Sequence, residues 1–339
     1  MTTTLGSEDY LYDELGHWAQ LPNGLGFKEV IDVAVDEQDR VYLFCRGEHP
    51  VLVLEADGQF VAAWGEDHFT RPHGISFGPD GSLYCADDAG QCIRRFSPGG
   101  QLLETIGTPG KGAPQLSGLP FDRPTKVAFD PQTGERYVAD GYGNARVHKY
   151  SAEGEYLFSW GDYGTDPGQF NLVHSIATDA QGRVYVADRE NHRIQVFDHK
   201  GCYLNQWNNL HRPCGLHIAG DVAYVGQLPT GMGVNASYPN LGACVSIHDL
   251  SGHRLARLGD AVVGEGPGQF TAPHGLAVDS KGDIYVAEVS WTHYGSKLDP
   301  PRTARSLRKL VRVQQPADGE RRQILGDGWY SSCSPLFQC

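Results

Sequence analysis

Three histidines, His73, His174 and His274, stand in one recurring phrase of this chain, Pro-His-Gly at the first and last and Val-His-Ser at the second. Neutral imidazole nitrogen is a preferred ligand of zinc, and three protein ligands with an open fourth position make the catalytic rather than the structural pattern. The chemistry such a trio offers is Lewis acidity toward a bound oxygen. It requires that three side chains far apart in sequence converge on one point, so the elements carrying them decide whether the chemistry exists.

Those elements repeat. Six units begin Val30-Ile-Asp-Val-Ala-Val, Pro72-His-Gly-Ile-Ser-Phe, Pro124-Thr-Lys-Val-Ala-Phe, Val173-His-Ser-Ile-Ala-Thr, Pro213-Cys-Gly-Leu-His-Ile and Pro273-His-Gly-Leu-Ala-Val. Each continues through a turn rich in Gly, Asp and Asn into a second run such as Val41-Tyr-Leu-Phe or Val184-Tyr-Val-Ala, rich in β-branched and aromatic residues as strands are. A third run follows, and a fourth closes the unit at Trp64-Gly, Ile106-Gly, Trp160-Gly, Trp207-Asn, Leu258-Gly and Leu325-Gly. Four short strands per unit, at a period of roughly 40 residues or more, read as propeller blades, and no stretch sustains a helical apolar spacing. The expected fold is all-β, one six-bladed β-propeller with four-stranded blades.

In such a ring the histidines occupy the second, fourth and sixth blades, about 120° apart, and point at the axis. The full ring at their register position is Ile31, His73, Thr125, His174, Cys214 and His274. A plainer alternative is that the histidines pack the strand entry and bond to backbone carbonyls. Cys214 is either a soft ligand or a buried thiol. The next position reads Asp32, Gly74, Lys126, Ser175, Gly215 and Gly275, where Asp32 and Lys126 are expected to pair across the channel. The other option is that Asp32 helps to hold a hard cation with backbone carbonyls.

Forty-three glycines fit a turn-dominated chain, and a hydrophobic fraction of 40% is ample for cores between blades. A net charge of −13 argues against nucleic acid, whose phosphates reward basic surfaces. No apolar run approaches the roughly 20 residues that span a bilayer, and the start does not resemble a secretion signal, so a cytoplasmic protein acting on a small molecule is expected. The eight cysteines lack a CxxC pair and read as buried reduced thiols, with Cys333 and Cys339 able to pair in the tail. The basic stretch Arg302–Arg312 reads as a solvated strand face. Residues 1–29 form a leading segment, 30–328 the propeller and 329–339 a tail. Either Tyr10-Leu-Tyr-Asp-Glu-Leu or Arg322-Gln-Ile-Leu-Gly could be the outer strand that closes the ring, and the sequence leaves both open.

Several motifs carry a family resemblance over essentially the whole chain. They are Phe44-Cys-Arg46-Gly-Glu-His49, Arg71-Pro-His73-Gly, Ala139-Asp-Gly-Tyr142-Gly-Asn-Ala-Arg146, Val173-His174-Ser, Val186-Ala-Asp-Arg189-Glu-Asn-His-Arg193 and Ala272-Pro-His274-Gly. The chain resembles the peptidyl-α-hydroxyglycine α-amidating lyases and their bacterial relatives built of NHL repeats. That resemblance implies a catalytic zinc, or another divalent transition metal, on His73, His174 and His274, faced by Arg46 and Tyr142. It also implies a structural calcium held by the carbonyls of Val33 and Ile75 and by an aspartate after the last histidine. This chain has Gly275 there, which argues against calcium unless Asp32 substitutes. Ala272 stands where the animal enzymes have a pocket methionine, and the first disulfide of secreted members would fall on Asp122 and Gly143. An intracellular relative whose substrate need not be a peptide is the expectation.

The reaction so implied is cleavage of a carbinolamide, N–CH(OH)–COO⁻, to an amide and glyoxylate. A metal on the three histidines would lower the pKa of the substrate hydroxyl. Tyr142, its own pKa lowered by a dication and a guanidinium, would serve as general base, and Arg46 would clamp the carboxylate. The plain alternatives are an Arg46 ion pair with Glu48 or Asp87 and a Tyr142 ring packed on Asn144. Asp188, Arg189 and Arg193 are read as hydrogen bonds that staple a blade, with Asp140 and Arg146 repeating the pattern. Long insertions in blades five (227–242) and six (290–301) overhang the channel. Trp291 and His293, with Thr125, Cys214 and Lys126, are expected to line the substrate pocket, and Glu288 is a further acid–base candidate. A metal-dependent hydratase, hydrolase or lactonase on the same residues, and a non-catalytic NHL scaffold, remain as rival readings.

Overall fold

The computed structural model describes residues 3–235, 238 and 240–314. Six antiparallel sheets make up nearly all of it, five of four strands and one of five. The innermost strands are Val30–Val35, Pro72–Phe77, Pro124–Phe129, Val173–Thr178, Pro213–Ala219 and Pro273–Val278, each starting where its repeat begins. The fold is a six-bladed β-propeller.

The cores lie between blades. Second and third strands alternate apolar side chains on both faces, so each blade buries one face against each neighbour. Tyr42, Phe44, Val51 and Val53 of blade one meet Ile75, Leu83 and Cys85 of blade two in this way. Among the described cysteines, five are buried and free, whereas Cys202 is exposed. The repeat grammar does staple blade four: Arg193 donates to the Asp188 carboxylate and to the carbonyls of Thr165, Asp166 and Gln169. In blade three the pattern changes hands, because Asp140 takes Asn144 and the buried His148 as partners rather than Arg146.

Ring closure uses the leading segment. Strand Tyr10–Leu15 pairs antiparallel with Leu307–Arg312 and supplies the fourth strand of blade six, and Thr4–Ser7 adds a fifth. Arg308, 1% exposed, clamps the seam by donating to Glu14 and to Glu288 at 2.5 Å each. The alternative strand at Arg322, the tail 329–339, Cys333 and Cys339 lie outside the described residues.

One backbone feature recurs in every inner strand. The register with the second strand shifts by one residue between Pro72 and Gly74, and at the equivalent place in the other five blades. Such a bulge re-aims side chains. It lets two consecutive residues, such as Thr125 and Lys126, both reach the central cavity.

Candidate metal centre

The three histidines meet at the hub. Their ring centroids stand 4.8, 5.0 and 4.7 Å apart, a nearly equilateral triangle, and their possible ligand atoms all lie within 4.8 Å of one another. All three are buried. Each Nδ1 contacts a backbone carbonyl of the next blade: His73 that of Thr125 at 2.9 Å, His174 that of Cys214 at 3.0 Å, and His274 that of Ile31 at 2.8 Å. A carbonyl can only accept, so Nδ1 carries the proton and Nε2 presents a lone pair inward. The three non-histidine members of the ring therefore act through their backbones as orienting groups for the imidazoles. Burial pushes all three imidazoles well below their usual pKa, with the Arg46 and Arg189 guanidiniums adding to the effect. They stay neutral, as metal ligands must.

The donor set fits a divalent transition ion. Three acceptor nitrogens converge, and the hydroxyl near them is the phenol of Tyr142, 3.1 Å from Nε2 of both His73 and His174, with the weak-donor thiol of Cys214 3.6 Å from Nε2 of His174. One O–H cannot satisfy three lone pairs, whereas one cation can. Cys214 stands beside this cluster, and burial pushes its thiol up to about 12.

Tyr142 is brought there by its flanking glycines. A Cβ on Gly141 would lie 1.6 Å from the Val173 carbonyl, so only glycine lets the loop press against the neighbouring strand. Two guanidiniums lie near the Tyr142 ring, Arg123 4.4 Å and Arg189 5.6 Å from its centroid. Its Asn144 neighbour points elsewhere, to Asp140 and the Leu119 carbonyl. Burial raises the Tyr142 pKa and Arg189 opposes it, so the lowered value expected from the sequence is not produced by protein groups alone.

Arg46 faces the triad from blade one. It pairs neither with Glu48 nor with Asp87. Its Nε donates to the Pro72 carbonyl at 3.2 Å and one terminal nitrogen to Glu29 at 3.3 Å. Glu29 also accepts from the backbone and hydroxyl of Thr292, which ties Arg46 to the blade-six insertion. Arg189, assigned from the sequence to blade stapling, is instead a site residue: its terminal nitrogen is 3.5 Å from the Tyr142 hydroxyl, and Glu190 at 2.8 Å fixes its other edge. The repeat grammar masked it, because Asp188 and Arg193 on either side do staple the blade. Glu29 carried no motif, and no sequence signal would have found it.

The remaining expected site residues separate. Arg212, Lys297, Arg189 and Arg46 lie close enough to His293 to add to burial in taking its pKa to about 4, which places this neutral imidazole over the channel mouth. Trp291 sits under the Lys28 ammonium, 5.1 Å away. Glu288 is consumed structurally, accepting from Thr271, Ala272 and Arg308. One layer below the histidines, the Lys126 ammonium bonds the Asp32 carboxylate at 2.7 Å. Asp32 also accepts from the backbone N–H groups of Val33 and Ile75, at 3.0 Å each. Asp32 and Lys126 form the pair expected across the channel, which puts an ammonium on the carboxylate that was the other option for holding a second cation with Val33 and Ile75. Gly275 fits the same arrangement, since a Cβ there would lie 2.1 Å from an Asp32 oxygen.

Fold and hub together define an NHL-type propeller with a three-histidine centre. The NHL repeat family matches at residues 170–197 and 270–293. Human (Homo sapiens) NHL repeat-containing protein 3 is 36% identical over 276 residues, covering 76% of each chain. The chain belongs to the NHL-repeat propeller family and to its amidating-lyase-like group. Peptidyl-alpha-hydroxyglycine alpha-amidating lyase 1 of Drosophila melanogaster is 32% identical over 266 residues, 72% of this chain and 47% of that protein. Among solved structures, a streptogramin B lyase superimposes with a TM-score of 0.55 at 12% identity, covering 89% of this chain and 86% of that one, a likeness of fold.

Proposed function

We propose that the protein is a metal-dependent carbon–nitrogen lyase that cleaves an N-substituted α-hydroxyglycine to an amide and glyoxylate. The observation that carries the reading is the convergence of three inward Nε2 lone pairs beneath the Tyr142 hydroxyl, with Arg46 and Arg189 on either side. Zinc, or a related divalent ion, on His73, His174 and His274 supplies Lewis acidity at the substrate hydroxyl oxygen.

The chain's own groups do the rest. Arg46 keeps one terminal nitrogen without a hydrogen bond to any described residue, and its planar fork suits the substrate carboxylate. Tyr142 takes the hydroxyl proton. The O–H electrons become the C=O bond of glyoxylate, the C–N electrons leave with nitrogen, and Tyr142 returns its proton there. Because burial raises the phenol, Tyr142 is a hydrogen-bond donor in the metal-free site and becomes a base beside a bound dication. The guanidiniums of Arg189 and Arg123, both close to its ring, favour the phenolate.

The test is glyoxylate release from N-acyl α-hydroxyglycines and from ureidoglycolate by zinc-loaded protein, with metal content measured in parallel. Activity that His174→Ala abolishes together with the metal supports the reading. A purified protein that binds no transition metal supports a scaffold instead, and turnover of esters or lactones without glyoxylate supports a hydrolase.

A further inference from the structure

The channel has a second chamber at the end opposite the histidines. The carboxy-terminal halves of the six inner strands enclose a cavity of about 290 Å³. Three residues beyond the histidine register, five of the six strands carry a small side chain: Ala34, Ser76, Ala128, Ala177 and Ala277. Five small residues in one layer leave the hub open. The sixth strand places His217 there instead, an imidazole with no hydrogen bond to any described residue. Lys126 lines this cavity as well as the metal chamber, and only one of its three N–H groups has a protein acceptor, Asp32. Phe77, Phe129, Ile176, Leu216 and Leu276 give the walls apolar side chains, beside polar surface that includes Ser76 and Thr178.

We propose that this chamber is a ligand site for a short-chain monocarboxylate, its carboxylate on Lys126 and His217 and its alkyl chain against the strand walls. A cavity with aliphatic and aromatic side chains on its walls and two convergent polar groups at its inner end suits an amphiphile. The charge sign follows from the hub pair. Asp32 is already solvated by two backbone N–H groups as well as by Lys126, so the ammonium keeps unspent positive charge toward the cavity. The volume lies at the lower edge of the roughly 300–1,000 Å³ of ligand pockets, which restricts the ligand to a chain of about five to eight carbons. The site does not depend on the lyase reaction.

Titration calorimetry of the zinc-loaded full chain with hexanoate tests it, with hexanol as the uncharged comparison. Saturable binding of one hexanoate per chain is expected, with hexanol at least about tenfold weaker. Ser76→Phe, which puts a ring into the cavity, abolishes binding while the protein keeps its metal. Arg46→Ala leaves binding intact, because the rival anion site is at the metal end. Absence of saturable binding, equal binding of hexanol, unchanged binding by Ser76→Phe, or loss in Arg46→Ala overturns the proposal.

Discussion

Removing the ammonium from the hub by Lys126→Met isolates what the Asp32–Lys126 pair does. Asp32 is 2% exposed, and without Lys126 its carboxylate retains only the backbone N–H groups of Val33 and Ile75. Stranding one partner of a buried pair costs about 3–5 kcal/mol, a third or more of the stability of an ordinary domain. Burial already pushes the Asp32 pKa up while Lys126 and the two N–H groups pull it down, so deleting the lysine raises it further. A carboxyl whose folded pKa exceeds its unfolded value, near 3.9, binds more protons when native, and its folded state weakens as pH rises through that interval. The loss measured by urea denaturation is therefore expected to be smaller at pH 5 than at pH 8. Lys126→Met combined with Asp32→Asn should recover most of it. A loss below about 1 kcal/mol, or one equal at both pH values, would refute the assignment of a buried, mutually dependent pair.

Tyr142→Phe should keep the metal and lower kcat by about 10²–10⁴, the range of a lost proton-transfer group, as read by glyoxylate release. Arg308→Ala leaves the buried Glu288 carboxylate without a cation, while Glu14 keeps Arg305, and should cost about 3 kcal/mol, with the leading strand becoming the first site of limited proteolysis. Burial takes His217, His248 and His293 each to about 4. The native state holds these imidazoles neutral, so their contribution is intact above the unfolded pKa of about 6.5 and is lost as pH falls from there toward 4. Together they add at most about 4 kcal/mol per pH unit in that window, measurable as proton uptake on unfolding at pH 5.5.

The hub was legible because a ring converts sequence periodicity into distance. Identical register in alternate repeats sufficed to bring His73, His174 and His274 together, and the Asp32–Lys126 pair followed from the next position in the same strands. What escaped depended on side-chain direction. Arg189 shares its motif with Asp188 and Arg193, and only the turn from strand to short helix aims it at Tyr142. The bulge in all six inner strands left no residue signature, yet it determines that two successive positions reach the axis. The pKa of Tyr142 balances burial against neighbouring charge, and a sequence supplies the second without the first. Which strand closes the ring was undecided because two segments were candidates for the outer strand; Tyr10–Leu15 takes that place, and Arg308 with its two carboxylates holds it there.

His274, the third imidazole, belongs to blade six, whose outer strands Tyr10–Leu15 and Thr4–Ser7 come from the leading segment. An ion held by all three imidazoles ties blade six to blades two and four, and docking of Tyr10–Leu15 beside Leu307–Arg312 steadies that same blade. Metal loading and docking are thus linked equilibria: each tightens the other by the same factor. A bulky fusion at the amino terminus should therefore weaken zinc retention at a centre it never touches.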